Sequence, residues 1–318
     1  MTIWLLRFTW ITLPLTAAPA VADAVAGWSD APRIVASVLL WGAWSIGVVA
    51  ILAPRPLALT AIRTLAPLFV AVSALAALHA TFALAAIALA ATAVNATLAA
   101  SPPIALVCAA GSAYGTELRF PLKVPPALLM GPVPLAVLLV GIGVAAGPLL
   151  LADESFVAGT IALPVGFVVA AYLARSLNTL SRRWAILVPA GLVIVDPMTL
   201  ADPVLFTLED TQLLELAPRV PPPEPEAVDL RLGAVLTSVA IEAHDPIPIA
   251  RVLANRRGAR IVTTPRALFA PVRPHELLEH AATRRLPVAR SGAAGTWSPV
   301  EISGQAATTA LPTTRDPS

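Results

Sequence analysis

Cysteine is almost absent from this chain, and so is lysine. Cys108 is the single cysteine, which excludes an intramolecular disulfide framework and a cysteine-based metal cluster. Lys123 is the single lysine, and every other cation is arginine. Charge of either sign is scarce: 13% of the 318 residues are charged and 57% are hydrophobic, with a mean hydropathy of +0.80. Soluble domains carry about 25% charge, so this average already implies lipid contact. The scarcity is local. Residues 1–174 hold only Arg7, Arg33, Arg55, Arg63, Arg119 and Lys123 as cations, with five acids. The rest of the charge lies beyond Ala174. The net charge of +2 therefore averages two regimes and gives no ground for a nucleic-acid partner. Catalytic patterning is missing as well, with no nucleophile beside a base and no buried acid pair.

Long apolar runs are abundant instead. A helix needs about 20 predominantly apolar residues to cross the hydrocarbon core. Five blocks meet this: Ile34–Leu52, Leu57–Leu78, Thr81–Ala100, Ala127–Leu151 and Phe156–Ala174. Each is bounded by charge, proline or a short polar turn. The sparse linker around His79 and Thr81 predicts a tight helical hairpin. Pro132, Pro134 and Pro164 either kink spans or mark where they begin. A further block opens the chain. Ala20-Val21-Ala22 before Asp23 matches a signal-peptide cleavage pattern, but the cationic start is thin. An uncleaved first span from about Thr9 to Ala26 is the expectation, which makes about six spans. With the N-terminus inside, Arg55, Arg119, Lys123, Arg175, Arg182 and Arg183 share one side. Asp30, Arg33, Asp153 and Glu154 fall on the other. That is the asymmetry of the positive-inside rule, and it predicts a multi-pass protein of the cell membrane with a cytoplasmic C-terminal domain.

Beyond Arg175 the pattern changes to short β-branched runs. Trp184–Val188 and Leu192–Val195 read as two strands joined at Pro189-Ala190-Gly191 and ended by Asp196-Pro197. Val204–Leu208, Gln212–Leu216, Val228–Leu232, Val235–Glu242, Ile247–Val252 and Ala259–Thr263 are further candidates. Asn255-Arg256-Arg257-Gly258 is a hairpin-turn candidate, and Val220–Pro225 a proline-dense loop. One helix closes the region, with Pro274 at its first position, Glu276 and Glu279 early, and Arg284 and Arg285 late. From Ser291 onward the chain is small, polar and aperiodic, and it reads as a disordered tail. The division is therefore 1–174 transmembrane, 175–290 β-rich, and 291–318 tail.

Strands followed by one amphipathic helix are the order of a small α+β barrel capped by a helix. The run Arg182-Arg183-Trp184 to Asp196-Pro197 directly after a last span, with Ala259 to Arg285 at the end, resembles bacterial pleckstrin-homology-like domains carried on membrane proteins. The likeness covers Arg182–Arg285, roughly a third of the chain. It implies a PH-like barrel whose last strand leads into a plugging helix. The membrane part resembles uncharacterised multi-pass proteins of high-GC Gram-positive bacteria. Neither resemblance supplies a catalytic, cofactor-binding or metal-ligating residue.

His275 and His280 suggest a zinc-protease helix, but that motif needs a separation of four. A separation of five turns the second ring away at 3.6 residues per turn, so Glu276 and His280 read as an ordinary i,i+4 pair. Arg63, His79, Asn95 and Asp23 are the polar groups within or beside spans, where ionisable side chains suggest function. Snorkelling of Arg63, a turn position for His79 and an interhelical bond for Asn95 are the structural alternatives. The loop Ser101–Val124 concentrates Tyr114, Glu117, Arg119 and Lys123. It reads first as an interfacial anchor and second as a docking surface for the β-rich region. Asp196–Asp229 holds eight acids and Arg251–Arg290 nine arginines. The basic stretch either faces anionic inner-leaflet lipid or pairs with the acidic one. The expectation is a non-enzymatic integral membrane protein with a PH-like interaction module for anchoring, assembly or regulation. Its partners would be the bilayer and either anionic inner-leaflet lipid or a membrane protein. A transporter or channel component is the alternative, and a membrane-embedded enzyme the third class.

Overall fold

The computed structural model describes residues 1–111, 113–221, 223–253 and 258–289. The tail at 291–318 and the turn residues 255–257 lie outside them. The chain opens with three short helices, α1 (Thr2–Ile11), α2 (Leu13–Thr16) and α3 (Ala18–Val25). Then come α4 (Asp30–Leu52), α5 (Pro56–Ala76), α6 (Phe82–Ala100) and a short α7 (Pro102–Ala110). Strand β1 (Leu118–Pro121) leads to α8 (Pro126–Leu129), α9 (Pro132–Ala152) and α10 (Phe156–Leu180). Among the described residues five helical segments are long and apolar enough to cross a membrane: α4, α5, α6, α8 with α9, and α10.

The expected six spans are therefore corrected to five, because the first block is not one helix. Pro14 and Pro19 break it. A proline lacks the N–H for its i−4 carbonyl and clashes with it. Pro14 deprives the Trp10 carbonyl of its i+4 donor, and besides a backbone N–H at the helix end this carbonyl accepts the indole N–H of Trp44 at 3.0 Å. Trp10 returns the bond, its own Nε1 donating to the Trp44 carbonyl at 3.1 Å. The indole of Trp10 reaches the backbone of α4 only because position 47 is glycine; a Cβ there would collide with the ring. The broken block is thus built into the bundle, with Leu6, Trp10, Leu13 and Ala20 fully or almost fully buried.

Small residues make the helix contacts. On α6 the buried positions are Ala85, Ala88, Thr92, Asn95 and Ala99, the three-and-four spacing of one helix face. In α9 and α10, Gly143 and Gly166 bring the two backbones together, and a Cβ on either would meet the other's carbonyl. Lipid tails are as apolar as leucine, so close approach rather than hydrophobic drive must hold such helices. Of the prolines noted in the sequence, Pro132 begins α9 and Pro164 lies inside α10.

After α10 come β2 (Trp184–Val188), β3 (Gly191–Val195), β4 (Val204–Thr207), β5 (Thr211–Leu216), β6 (Val228–Asp229), β7 (Val239–Val252) and β8 (Ala259–Phe269), then α11 (Pro274–Thr283). They form two four-stranded sheets, ordered β1-β2-β3-β4 and β5-β7-β8-β6. The first is an antiparallel meander in which Trp184 faces Val195 and Leu187 faces Leu192. Two candidates, Val235–Glu242 and Ile247–Val252, are one strand, β7, whose register shifts between Glu242 and Ile247. One core joins both sheets to the helix: Phe120, Leu187, Ile194 and Phe206 meet Leu214, Ile241 and Phe269, with Leu277, Leu278 and Ala281 of α11. Helix α11 starts at Pro274, as its sequence predicts.

Candidate functional site: the junction of bundle and module

Strand β1 does not belong to the region its sequence position suggests. It lies between α7 and α8, among the candidate membrane spans, yet it is the edge strand of the first sheet. Leu118, Arg119, Phe120 and Pro121 pair with Leu187, Ile186, Ala185 and Trp184. Of the loop Ser101–Val124, read first as an interfacial anchor, the stretch from Leu118 to Leu122 is part of the β-rich module, while Ile104, Ala105 and Cys108 of α7 pack in the bundle core. The physical reason is that Leu118 and Phe120 alternate with Arg119, and an alternating run completes a sheet edge better than it lies on lipid. Phe120 is buried in the module core, while the Arg119 guanidinium stacks 5.0 Å over the Trp184 ring and bonds Glu117 at 3.1 Å.

Two cations fasten the junction. Arg183 is fully buried and grips Asp196 with both arms, Nε to Oδ1 at 2.7 Å and Nη2 to Oδ2 at 2.8 Å. Its Nη1 donates to the Lys123 carbonyl at 2.9 Å. Asp196 also accepts the Met198 backbone N–H at 3.0 Å, so the carboxylate caps the turn after β3. Lys123 points onward to a third segment: its ammonium donates to the Leu236 carbonyl at 2.6 Å, the Thr237 carbonyl at 3.1 Å and Thr237 Oγ1 at 2.6 Å. Partial burial moves the Lys123 ammonium below the usual lysine value, because desolvation disfavours the charged form. Backbone bonds complete the seam, Leu122 N–H to the Arg183 carbonyl at 3.0 Å and Lys123 N–H to the Ala270 carbonyl at 2.8 Å. Arg284, at the end of α11, donates to the Leu187 carbonyl at 2.8 Å and to the Thr116 carbonyl. On the bundle side Thr60 of α5 bonds Asn178 at 3.0 Å and Ser181 at 2.9 Å, tying the last turn of α10 to a neighbouring helix.

The remaining sequence candidates fall elsewhere. Arg63 donates to the Ala99 and Ala100 carbonyls at 3.3 and 3.2 Å, capping the C-terminal end of α6 where a cation suits the helix dipole. His79 is exposed at the turn before α6, and Asp23 is exposed on α3. Asn95 is buried, and neither its amide nitrogen nor its oxygen has a partner; the expected interhelical bond is not made. Glu276 pairs with Arg273 at 2.7 Å rather than with His280, which lies 6.1 Å from the Phe120 ring. His275 is exposed, so the two histidines do not converge. Burial pushes the Cys108 thiol up to about 11, with the Arg63 charge opposing, which leaves little thiolate for nucleophilic chemistry. Of the basic stretch, Arg251 and Arg260 face Glu224, and Arg266 bridges Glu215 at 3.1 Å and Glu242 at 2.6 Å. Here the acidic segment turns toward the basic one.

A cleft of about 460 Å³ lies in the other part of the bundle, between α2, α3, α4 and α5. Its walls are apolar, with Trp41, Trp44 and Phe69 among them, and Arg33, Ser37 and Ser73 are its polar groups.

Sequence reasoning missed the Arg183–Asp196 pair, although the signal was present: if Trp184 faces Val195 across a hairpin, residues 183 and 196 are opposite each other one step further out. It also missed Arg231, fully buried, held by Asp229 at 2.9 Å and by the Pro218 carbonyl at 2.6 Å. Compared with known protein families, curated proteins and solved structures, the chain matches none.

Proposed function

We propose that this chain is a non-enzymatic integral membrane protein that holds a β-rich interaction module firmly against one face of the bilayer, for anchoring, assembly or regulation. The observation that carries this reading is β1. A loop between two spans supplies an edge strand to the module, so the module cannot swing on its linker like a tethered domain. A fixed presentation suits a scaffold. Two four-stranded sheets that share one core with α11 support the pleckstrin-homology-like reading. The charge asymmetry supports a cytoplasmic module, since Arg55, Arg119, Lys123, Arg175, Arg182 and Arg183 gather on its side while Arg33 is the one cation among Asp30, Asp153 and Glu154 opposite.

Photo-crosslinking side chains at Leu205, Val220 and Ile261, all exposed on the module, test this in cells. A discrete protein adduct from at least one position is the expected outcome. The transporter or channel reading draws on the unpartnered Asn95 and the apolar cleft. It predicts instead that no position yields an adduct, and that solute flux in proteoliposomes is lost in Asn95→Leu.

A further inference from the structure

The turn between β6 and β7 carries two exposed leucines beside the place where the chain turns into a span. Leu232 is 38% exposed and Leu236 64%. The neighbours on either side, Leu230 and Val239, are buried in the module core. Local backbone geometry throws the two leucines outward. Leu232 has φ 51°, Gly233 φ 86° and Thr237 φ 50°, a left-handed conformation that a branched residue such as threonine adopts only under constraint. The constraint is Lys123, whose ammonium takes the Leu236 carbonyl and both oxygens of Thr237. Lys123 is three residues before α8, the first turn of the fourth candidate span. Leu129 and Met130, at the end of that turn, are 51% and 90% exposed. Exposed apolar side chains held next to a span by a lysine match the composition of a membrane–water interface, where amphipathic anchors collect.

We propose that Leu232 and Leu236 insert into the interfacial layer of the bilayer leaflet nearest the module, forming with Leu129 and Met130 an apolar foot on which the module rests. The proposal deepens the reading of a membrane-held module and rests on it. It replaces the arginine face as the main lipid contact, since Arg251, Arg260 and Arg266 face carboxylates of the chain itself. Lipid is favoured over a protein as the occupant because Lys123 ties this turn to the start of a candidate span whose own first residues, Leu129 and Met130, are exposed.

The test uses the full chain in vesicles of phosphatidylcholine and phosphatidylglycerol, with a Cys108→Ala background. Nitroxides are placed singly at Leu232→Cys, Leu236→Cys, Val220→Cys and Ile142→Cys. Collision with oxygen, which concentrates in lipid, is compared with collision with a water-soluble nickel chelate. The expected oxygen-to-nickel ratio at 232 and 236 is several-fold above that at 220 and below that at 142. A ratio at 236 equal to that at 220 overturns the proposal. Protection from both reagents also overturns it, by showing a protein cover. An aqueous ratio at 142 as well would bring down the membrane reading itself, whereas a lipid ratio at 142 with an aqueous one at 236 removes only the foot. Lys123→Met is expected to shift the ratio at 236 toward water, and an unchanged ratio would overturn the part assigned to Lys123.

Discussion

The bundle and the module solve the same packing problem with opposite materials. In the bundle many buried positions are alanine or glycine, such as Ala50, Ala66, Ala88 and Gly147, beside a few large ones such as Trp10 and Ile62. In the module they are Phe206, Phe269, Leu187, Leu192 and Ile241. The solvent explains the contrast. In water a leucine gains by leaving the surface, roughly 1.5–3 kcal/mol for a full side chain. In lipid it gains little, so contact must come from backbones drawn close by small residues, and from a few hydrogen bonds such as the Trp10–Trp44 exchange. Charge follows the same division. The module buries a complete ion pair at Arg183–Asp196, while Arg63 in the bundle serves carbonyls at a helix end.

The largest effect is expected where that buried pair is halved. Arg183→Met leaves the Asp196 carboxylate enclosed without its partner, which costs about 3–5 kcal/mol. Arg183→Met with Asp196→Asn should recover most of the loss, because the asparagine can still accept the Met198 N–H and carries no charge. Hydrogen exchange of the β2 and β3 amides in detergent-solubilised protein measures both. Equal losses in the single and double variants would show that the pair is not held as a unit.

Next come substitutions that reverse the two packing materials. The module should fail when atoms are removed: Leu277→Ala costs about 2–5 kcal/mol. The bundle should fail when atoms are added: Gly47→Ala displaces the Trp10 ring, and Gly166→Ala separates α9 from α10, each costing about 1–3 kcal/mol. Thermal unfolding followed separately in the two regions tests whether each loss stays where it is made. A Gly47→Ala variant that melts like the parent would refute the close packing of the first block.

A smaller and opposite effect is expected at Asn95. Its amide is buried without a partner, and an unsatisfied polar group costs about 1–3 kcal/mol. Asn95→Leu should therefore raise the stability of the bundle by about 1 kcal/mol or more. Stabilisation together with unaltered crosslinking by the module would favour the scaffold over the transporter.

What the sequence made legible follows the same physics. Spans are written as long runs, so α4, α5, α6, α9 and α10 begin or end within a few residues of their predicted limits. The β2–β3 hairpin was equally plain, because Pro189-Ala190-Gly191 separates two β-branched runs. The first block was misread, since length and hydropathy outweighed Pro14 and Pro19, whose effect depends on whether another helix satisfies the freed carbonyl. Only the fold reveals that Trp44 does so. β1 was obscured for a related reason: Leu118–Pro121 is four residues long, and a short alternating run has no meaning until its partner strand is known. The Arg183–Asp196 pair follows from the hairpin register, but the Lys123 carbonyl reaches Arg183 from 60 positions away, and no local pattern encodes that meeting.

The Trp10–Trp44 exchange gives the finest comparison, because it sets a hydrogen bond in the bundle beside those of the module. Trp10→Phe keeps most of the ring and deletes one donor, and Trp44→Phe deletes the other. Interhelical bonds in membrane proteins average about 0.6 kcal/mol, since the unfolded chain within lipid also finds partners. Each single variant should thus lose about 0.6 kcal/mol, well below the cost of halving the Arg183 pair. The two bonds use different donors and acceptors, so the double variant should lose nearly the sum. The Trp10 carbonyl decides whether this holds. Pro14 has removed its i+4 partner, and Trp44→Phe leaves it only the backbone N–H at the end of α1. A loss there clearly larger than that from Trp10→Phe would mean that the proline break, more than the ring packing, makes the first block depend on α4.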